Sequence, residues 1–541
     1  MEYDFIIIGA GSAGCVLADR LSECGRHTVL VLEAGGTDAR FWIKVPVGYG
    51  FTYADPRVNW GYHAEADPGL NNRVAYWPRG RVIGGSSSIN AMAYMRGLPV
   101  DFEDWDRAGA VGWGWENVRR AYERLECHWD RGADGTLRMR GAGKLHVSDL
   151  RDQMHPFSKR FLEAASDLGW PCLQDLNDCA SEGLSYYRST VRNGLRWSSV
   201  DAFLRPARTR PNVKLISKAL VERIEIEEGR ATGVRYSVNG QSVVARAAGE
   251  VLLSAGAINS PQILQLSGIG PGKLLQSHGI RLCQPLEQVG EGLQDHLAIT
   301  HHFAAKEHTL NASLGHWRGR LSAGVKYLLA RKGPLSVPVN QVGGFMRSDP
   351  DLDGPDMQVY CNPASYRTGE DGKPQMGPDP GFILSVQPCR PTSRGRVHIT
   401  SADPRQAPVI YPNSLSTRKD REDAVRACKL LRKLANAPTL SRVTKAAIAP
   451  DLNGMNEDDM LNNFRARAGT VFHPTCTCRM GEDAENSVLD ARLRVHGLRG
   501  LRVVDASSFP NVTSGNTNAP VMMLAMRAAD LILEDARSGA R

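Results

Sequence analysis

A chain of 541 residues exceeds what one hydrophobic core organises and predicts two or more domains. With 42% hydrophobic and 23% charged residues the composition is globular, which excludes a disordered or fibrous chain. A formal charge of +8 is modest at this length, and the basic run Arg205 to Arg210 is broken by proline with no interleaved aromatics, which argues against nucleic acid as a partner.

Phe5-Ile6-Ile7-Ile8 is a short buried strand, and Gly9-Ala10-Gly11-Ser12-Ala13-Gly14 after it is a dinucleotide-binding turn that opens a helix. Gly9 and Gly11 permit a tight turn and close backbone approach, while Gly14 lets the helix lie close on the sheet. A pyrophosphate then sits on the helix N-terminus, where unpaired N–H groups and the dipole favour anions. Val29 to Leu32 reads as the next parallel strand, and Glu33 at its end lies 22 positions after Gly11, near the ~20 expected of a ribose-binding acid. This device serves NAD and FAD alike, so the cofactor must be decided elsewhere in the chain.

The first 150 or so residues alternate strands, helices and glycine turns, as a βαβ domain does. Gly80 to Asn90 is a second glycine- and serine-rich stretch with many backbone N–H groups free for an anion or a ring edge. From about 251 a buried strand enters a helix over Ile258 to Leu264 that stops at Ser267 to Gly270. Between about 311 and 465 the alternation of Gly381 to Gln387 and Gly395 to Thr400 predicts antiparallel strands, and Arg421 to Asn436 predicts a surface helix. Leu501 to Ala506 returns as a strand ending in acid, followed by the loop Ser514 to Pro520 and an apolar helix, so the first and last parts of the chain belong to one domain.

The 11 cysteines are odd in number and scattered, which fits reduced thiols in the cytoplasm rather than a disulfide framework. Cys476 and Cys478 stand too close together for a zinc knuckle and have no second pair, so no metal site is expected. The first strand begins by residue 5, leaving no room for a signal peptide, and no apolar run is long enough to span a bilayer. A cytoplasmic location is expected, with peripheral attachment to the inner membrane left open; the oligomeric state is not legible.

Three separated blocks, Gly80 to Glu103, Gly256 to Gly270, and His473-Pro474 with Asn516, resemble in order the signatures of the glucose-methanol-choline (GMC) family of FAD-dependent oxidoreductases, in the branch of choline and alcohol dehydrogenases. The resemblance implies an α/β FAD-binding Rossmann-like domain built from the discontinuous segments 1–155, 196–310 and 466–541. An α+β substrate-binding domain with an antiparallel sheet would comprise 156–195 and 311–465. By similarity, Gly9, Gly11, Ser12, Ala13 and Glu33 hold the ADP half of FAD, with Val221 near the adenine and with Gly14, Ala34 and Val82 also expected to bind the cofactor. Gly85, Ser86, Asn90, Ala91, Met92 and Ala93 belong to the flavin side, and Asp505, Ala506, Asn516, Thr517 and Asn518 close the site. Ile89 stands where some relatives attach FAD through a histidine, so the flavin is expected to be non-covalent. Gly292 departs from the family's usual asparagine. Asp295 and His296 match the family and are open to a structural role.

The resemblance makes His473 the base for the alcohol proton, with Pro474 restricting its backbone and its imidazole titrating near working pH. Asn516 cannot titrate and would donate a hydrogen bond to the substrate oxygen. The reading is oxidation of a primary aromatic or aliphatic alcohol to the aldehyde, with hydride passing to flavin N5 and with oxygen or a quinone as electron acceptor. Alternatives are a choline or pyridoxine-type oxidase or dehydrogenase, a lyase keeping FAD as scaffold, and a flavin-binding protein without turnover. Choline is disfavoured because Gln341 falls where choline-oxidising relatives carry an acid, and a quaternary ammonium wants a carboxylate or an aromatic cage.

Overall fold

The computed structural model describes residues 2–131, 137–178, 182–368, 374–448 and 450–538. The strand Glu2–Ile8 starts a mixed seven-stranded sheet whose inner residues Phe5 to Ile8 are at most 2% exposed. It pairs in parallel with Val29–Glu33 on one side and with Gln241–Leu253 on the other. Val213–Ser217 extends the first edge in parallel, and Leu501–Val503 joins Val251 to Leu253 in parallel, so the C-terminal segment completes the sheet begun by the first residues. Strands Leu220–Glu227 and Arg230–Val238 add an antiparallel flap.

Parallel strands buried on both faces read as continuous apolar runs, as Phe5 to Ile8 and Val29 to Leu32 do. One face is covered by the helices Ser12–Ser22 and Asn518–Ser538, the second of which buries Met522 to Ala525 and Ile532 completely. Gly14 makes the close fit possible, since a Cβ there would stand 1.9 Å from the Gly9 carbonyl oxygen. The strand predicted over Leu501 to Ala506 stops at Val503, because Asp505 caps a short 3-10 turn by accepting from the Ser507 N–H at 2.8 Å.

A second seven-stranded sheet is antiparallel, in the order Thr444–Ala447, Leu297–Ala305, Gly381–Pro388, Met357–Asn362, Val342–Met346, Gly183–Tyr186, with Gly469–Thr470 added beside Leu297 and Ala298. The strand Leu297–Ala305, allotted in sequence to the nucleotide-binding part, therefore pairs here. The helix predicted near 421–436 spans Arg418–Ala435, capped by Thr417. It is no mere surface helix: Ala424, Ala427, Cys428, Leu431 and Leu434 are fully buried in a core that includes the sheet residues Phe382, Leu384 and Val386. The carboxyl ends of the parallel strands and one face of the antiparallel sheet border a common cavity.

Candidate active site

The cavity holds about 470 Å³ and is lined from both sheets and from both ends of the chain. Its dinucleotide half presents Gly9, Gly11, Ser12, Ala13, Glu33, Ala34 and Val221, then Gly85, Ser86 and Asn90 through Ala93, and finally Asp505, Ala506, Thr517 and Asn518. Two expected residues do not line it. Gly14 serves helix packing, and Val82 is buried in a small cluster with Ile43, Val58 and Ile89.

The features of this half fit FAD. The helix Ser12–Ser22 begins at Gly11 without a side-chain cap, leaving its first N–H groups toward the cavity for an anion. Gly85 has φ +52, and a Cβ on it would come within 2.8 Å of Gly11 Cα, so the two glycine-rich stretches touch and admit no side chain between them. Ser254 lines the cavity with a buried hydroxyl that has no protein partner. Ser12 Oγ donates to Asn518 Oδ1 at 2.7 Å, tying the two chain ends at the site. Met92 is held at φ +61, and its N–H donates to Asn90 Oδ1, which also accepts from Arg196 Nη1. Asp505 behaves differently, since Ser260, Gly256 and Ser507 already saturate its carboxylate and pin the helix Gly256–Leu266 to the C-terminal segment.

The reactive end is built around the His473-Pro474 pair. Asp295 accepts from the His473 N–H at 2.7 Å and from the Thr470 hydroxyl, and Thr470 Oγ1 accepts from the Phe472 N–H at 2.9 Å. Phe472 consequently sits at φ +70, a conformation an L residue keeps only when its surroundings impose it. Asn516 is placed by a comparable clamp, in which Asp101 accepts from Ser514 N and Oγ at 2.8 and 2.7 Å beside Gly515 at φ +84.

Hydrogen-bond chemistry then settles the tautomers. His296 Nε2 lies 2.8 Å from the Cys389 carbonyl, a pure acceptor, so that nitrogen carries the proton. Burial pushes the His296 pKa down to about 4, so the ring is neutral and its Nδ1 can only accept. His473 Nδ1, 3.1 Å away, must therefore donate, which leaves His473 Nε2 unprotonated. Asn516 Nδ2 donates to that bare nitrogen at 3.1 Å, while Asn516 Oδ1 is buried without a partner. Burial, with His296 and the Arg79 guanidinium nearby, holds the His473 pKa well below the ordinary histidine value. The titration expected near working pH is thus displaced to the acid side.

Sequence reasoning missed several participants. Arg79 lines the cavity beside His473, donates to the Phe472 carbonyl at 2.6 Å, and has its pKa lowered by burial to about 10. Tyr49, Tyr53, Tyr360, Tyr366 and Phe472 make an aromatic wall, with Tyr53 and Phe472 ring centroids 5.5 Å apart. None of these follows a spacing rule, although Arg79 adjoins the Gly80 stretch. Gln341 stays outside: it is fully buried, and its Oε1 accepts from His155 N and Ser158 Oγ at 2.8 and 2.7 Å. Gln341 therefore does not set the substrate preference expected of it, because it does not line the cavity and its side chain is occupied by His155 and Ser158. Gly292 has φ +80 with the Arg479 guanidinium where a side chain would go, so asparagine's absence is met locally. The ten described cysteines are unpaired, and no metal-binding cluster occurs among the described residues.

The GMC oxidoreductase family models match residues 3–298 and 391–525. The chain is 40% identical to an alcohol dehydrogenase (acceptor) of Pseudomonas putida, covering 98% of this chain and 96% of the relative. It is 39% identical to an oxygen-dependent choline dehydrogenase of Vibrio vulnificus, covering 98% and 94%. Among solved structures, pyridoxine 4-oxidase from Mesorbium loti superposes with a TM-score of 0.85 at 30% identity, covering 97% of this chain and 98% of the other. A formate oxidase superposes with a TM-score of 0.91 at 25% identity, covering 99% of each chain.

Glu33 yields a pH-dependent expectation. Burial raises its pKa from 4.5 to about 7, against the N–H groups of Gly35 and Ala10 that hold its two oxygens at 2.7 and 2.9 Å. Ribose hydroxyls prefer the ionised acceptor, so cofactor binding pulls this pKa back down and releases a proton. FAD affinity of the apoprotein should rise by up to about tenfold per pH unit toward pH 7 and level off above it. Titration with FAD at pH 6 and 8 checks this; Glu33→Gln should abolish the difference, and a pH-independent wild type contradicts the assignment.

Proposed function

Since the chain belongs to the GMC oxidoreductase family, FAD-dependent enzymes that act on alcohol CH–OH donors, we propose that it oxidises an uncharged primary alcohol to the aldehyde with His473 as base. The observation that carries the proposal is the hydrogen-bond chain from the Cys389 carbonyl through His296 to His473, whose Nε2 lies 3.1 Å from Asn516 Nδ2 in the cavity wall. When bound, FAD supplies the acceptor for the hydride. The substrate hydroxyl enters between His473 Nε2, which takes its proton, and Asn516 Nδ2, which donates to the oxygen as alkoxide character develops. Arg79 opposes an imidazolium at rest and favours negative charge on the substrate oxygen. Ile89, apolar and 2% exposed at the cavity edge, offers no nucleophile, which supports non-covalent FAD.

The preference for an uncharged alcohol rests on the cavity wall. Glu33 and Asp505 are the carboxylates that line it among the described residues, and both are engaged in the dinucleotide half. A quaternary ammonium at the reactive end would meet the Arg79 guanidinium, and a buried cation without a counter-charge is costly. An apolar ring or chain against the tyrosines instead gains by burial, at roughly 25 cal/mol per Å². The tyrosine wall also offers a face to a cation, so choline is the control substrate.

His473→Ala should retain FAD while slowing flavin reduction by ~10²-fold or more, and Asn516→Ala should slow it by about 10- to 1000-fold without moving the pH profile. With its base already neutral, the wild-type enzyme should show kcat/KM flat above about pH 6.5 and falling only on the acid side. Anaerobic stopped-flow reduction across pH measures both, and near-normal reduction by His473→Ala removes this residue from the mechanism.

Comparison of kcat/KM for benzyl alcohol, a medium-chain alkanol and choline, with oxygen and with a quinone-like dye, tests the substrate class. The uncharged alcohols should exceed choline by at least about tenfold, whichever acceptor is used. A clear preference for choline overturns the substrate reading and leaves the base assignment standing.

A further inference from the structure

The helix Trp317–Ala330 is inverted relative to an ordinary surface helix. It leans on the protein through Ala323 and the fully buried Tyr327, whose hydroxyl donates to the Gly194 carbonyl at 2.9 Å. Its apolar side faces out, with Trp317 70%, Leu321 61%, Val325 49%, Leu328 63% and Leu329 84% exposed. At 3.6 residues per turn these five positions fall within an arc of about 120°. Such a stripe on a free surface marks an interaction site.

Charge identifies the occupant. From 308 to 348 the chain carries six Lys and Arg residues and no Asp or Glu. Arg347 pairs with Glu182, whereas among the described residues Arg318, Lys326, Arg331 and Lys332 have no carboxylate partner. A second exposed apolar group adjoins this region: Phe41 is 53%, Trp42 40% and Phe51 42% exposed, with Trp42 and Phe51 rings 4.4 Å apart. The hairpin that receives Tyr327 also anchors this group, since Arg196 Nε donates to the Ile43 carbonyl at 2.8 Å. Val47 N–H in turn donates to Leu335 O at 3.5 Å.

We propose that this face seats the protein on an anionic lipid surface, with the helix Trp317–Ala330 lying in the plane of the headgroups. Exposed apolar residues flanked by unpaired cations and a terminal tryptophan are the chemistry of an in-plane interfacial helix. No described helix is long and apolar enough to cross a membrane, so attachment is to one leaflet. A second copy of the chain fits less well. Two such faces would oppose cation to cation, and a single helix about 21 Å long falls short of the roughly 800 Å² per partner of a stable interface. Tyr49 and Tyr53, which line the cavity, flank the exposed Phe51 in sequence.

Flotation of the yellow holoenzyme with vesicles tests the proposal independently of the reaction. The wild type should bind phosphatidylcholine vesicles containing about 30 mol% phosphatidylglycerol, with weaker binding to pure phosphatidylcholine and at high salt. Leu321→Glu with Leu328→Glu should bind at least ~10-fold more weakly, keeping the FAD spectrum and dye-linked activity. Lys326→Glu with Lys332→Glu, which leaves the apolar stripe intact, should lose the preference for anionic lipid. Absence of wild-type binding, equal binding by the Leu321/Leu328 variant, or a wild-type dimer that this variant converts to monomer overturns it.

Discussion

A single backbone carbonyl orders two buried imidazoles in series, and from that constraint the site acquires its direction. The Cys389 carbonyl can only accept, so protons are ordered along His296 and His473, and the bare nitrogen emerges at Asn516. The ordering holds only if the rings are neutral and fixed. Burial ensures the first, and Asp295 ensures the second by clamping the backbone around Phe472 and His473. Arg79 contributes to both, through its charge beside His473 and its bond to the Phe472 carbonyl. The strained φ of Phe472 is the local consequence of this over-determination.

The same chain must bring distant segments to one cavity. Leu501–Val503 pairs beside Val251 to Leu253, and Arg502 is fixed in the buried core between Glu250 and Asp535 at 2.6 and 2.7 Å. Removing either carboxylate would leave a buried guanidinium partly unpaired, so this triad holds the terminal helix in register more than it adds net stability. Ser12 and Asn518 meet where the first and last helices begin, and Gly14 lets the first helix close on the sheet. Cofactor half and reactive half are therefore coupled through the C-terminal segment, which carries both Asn516 and Asn518.

The dinucleotide half was legible because its chemistry is local. Gly9, Gly11 and Glu33 lie within one βαβ unit, where spacing fixes geometry, and the structure puts all three on the cavity wall. Val82 does not line the cavity, because its side chain turns into an apolar cluster with Ile43, Val58 and Ile89. Gln341 was misread because sequence adjacency to Gly343 does not report which way a side chain points, and here it faces His155 and Ser158. The tautomer chain joins residues 177 positions apart and was not legible at all, although Asp295-His296 carried the family match that could have prompted the search. The boundary expected at 310 put Leu297–Ala305 with the nucleotide-binding part, whereas this strand pairs with Gly381–Pro388 in the antiparallel sheet.

If the ordered chain His296 to His473 creates the base, then an acceptor at position 296 should matter more than an imidazole there. Gln at this position can accept from His473 Nδ1–H through its carbonyl and donate to the Cys389 carbonyl, whereas Leu can do neither. Anaerobic stopped-flow reduction of the bound flavin by benzyl alcohol, compared for wild type, His296→Gln and His296→Leu, is the most direct test. The account predicts a rate within about tenfold of wild type for His296→Gln and a loss of ~10²-fold for His296→Leu, with FAD retained in both. Equal rates for the two variants would contradict it.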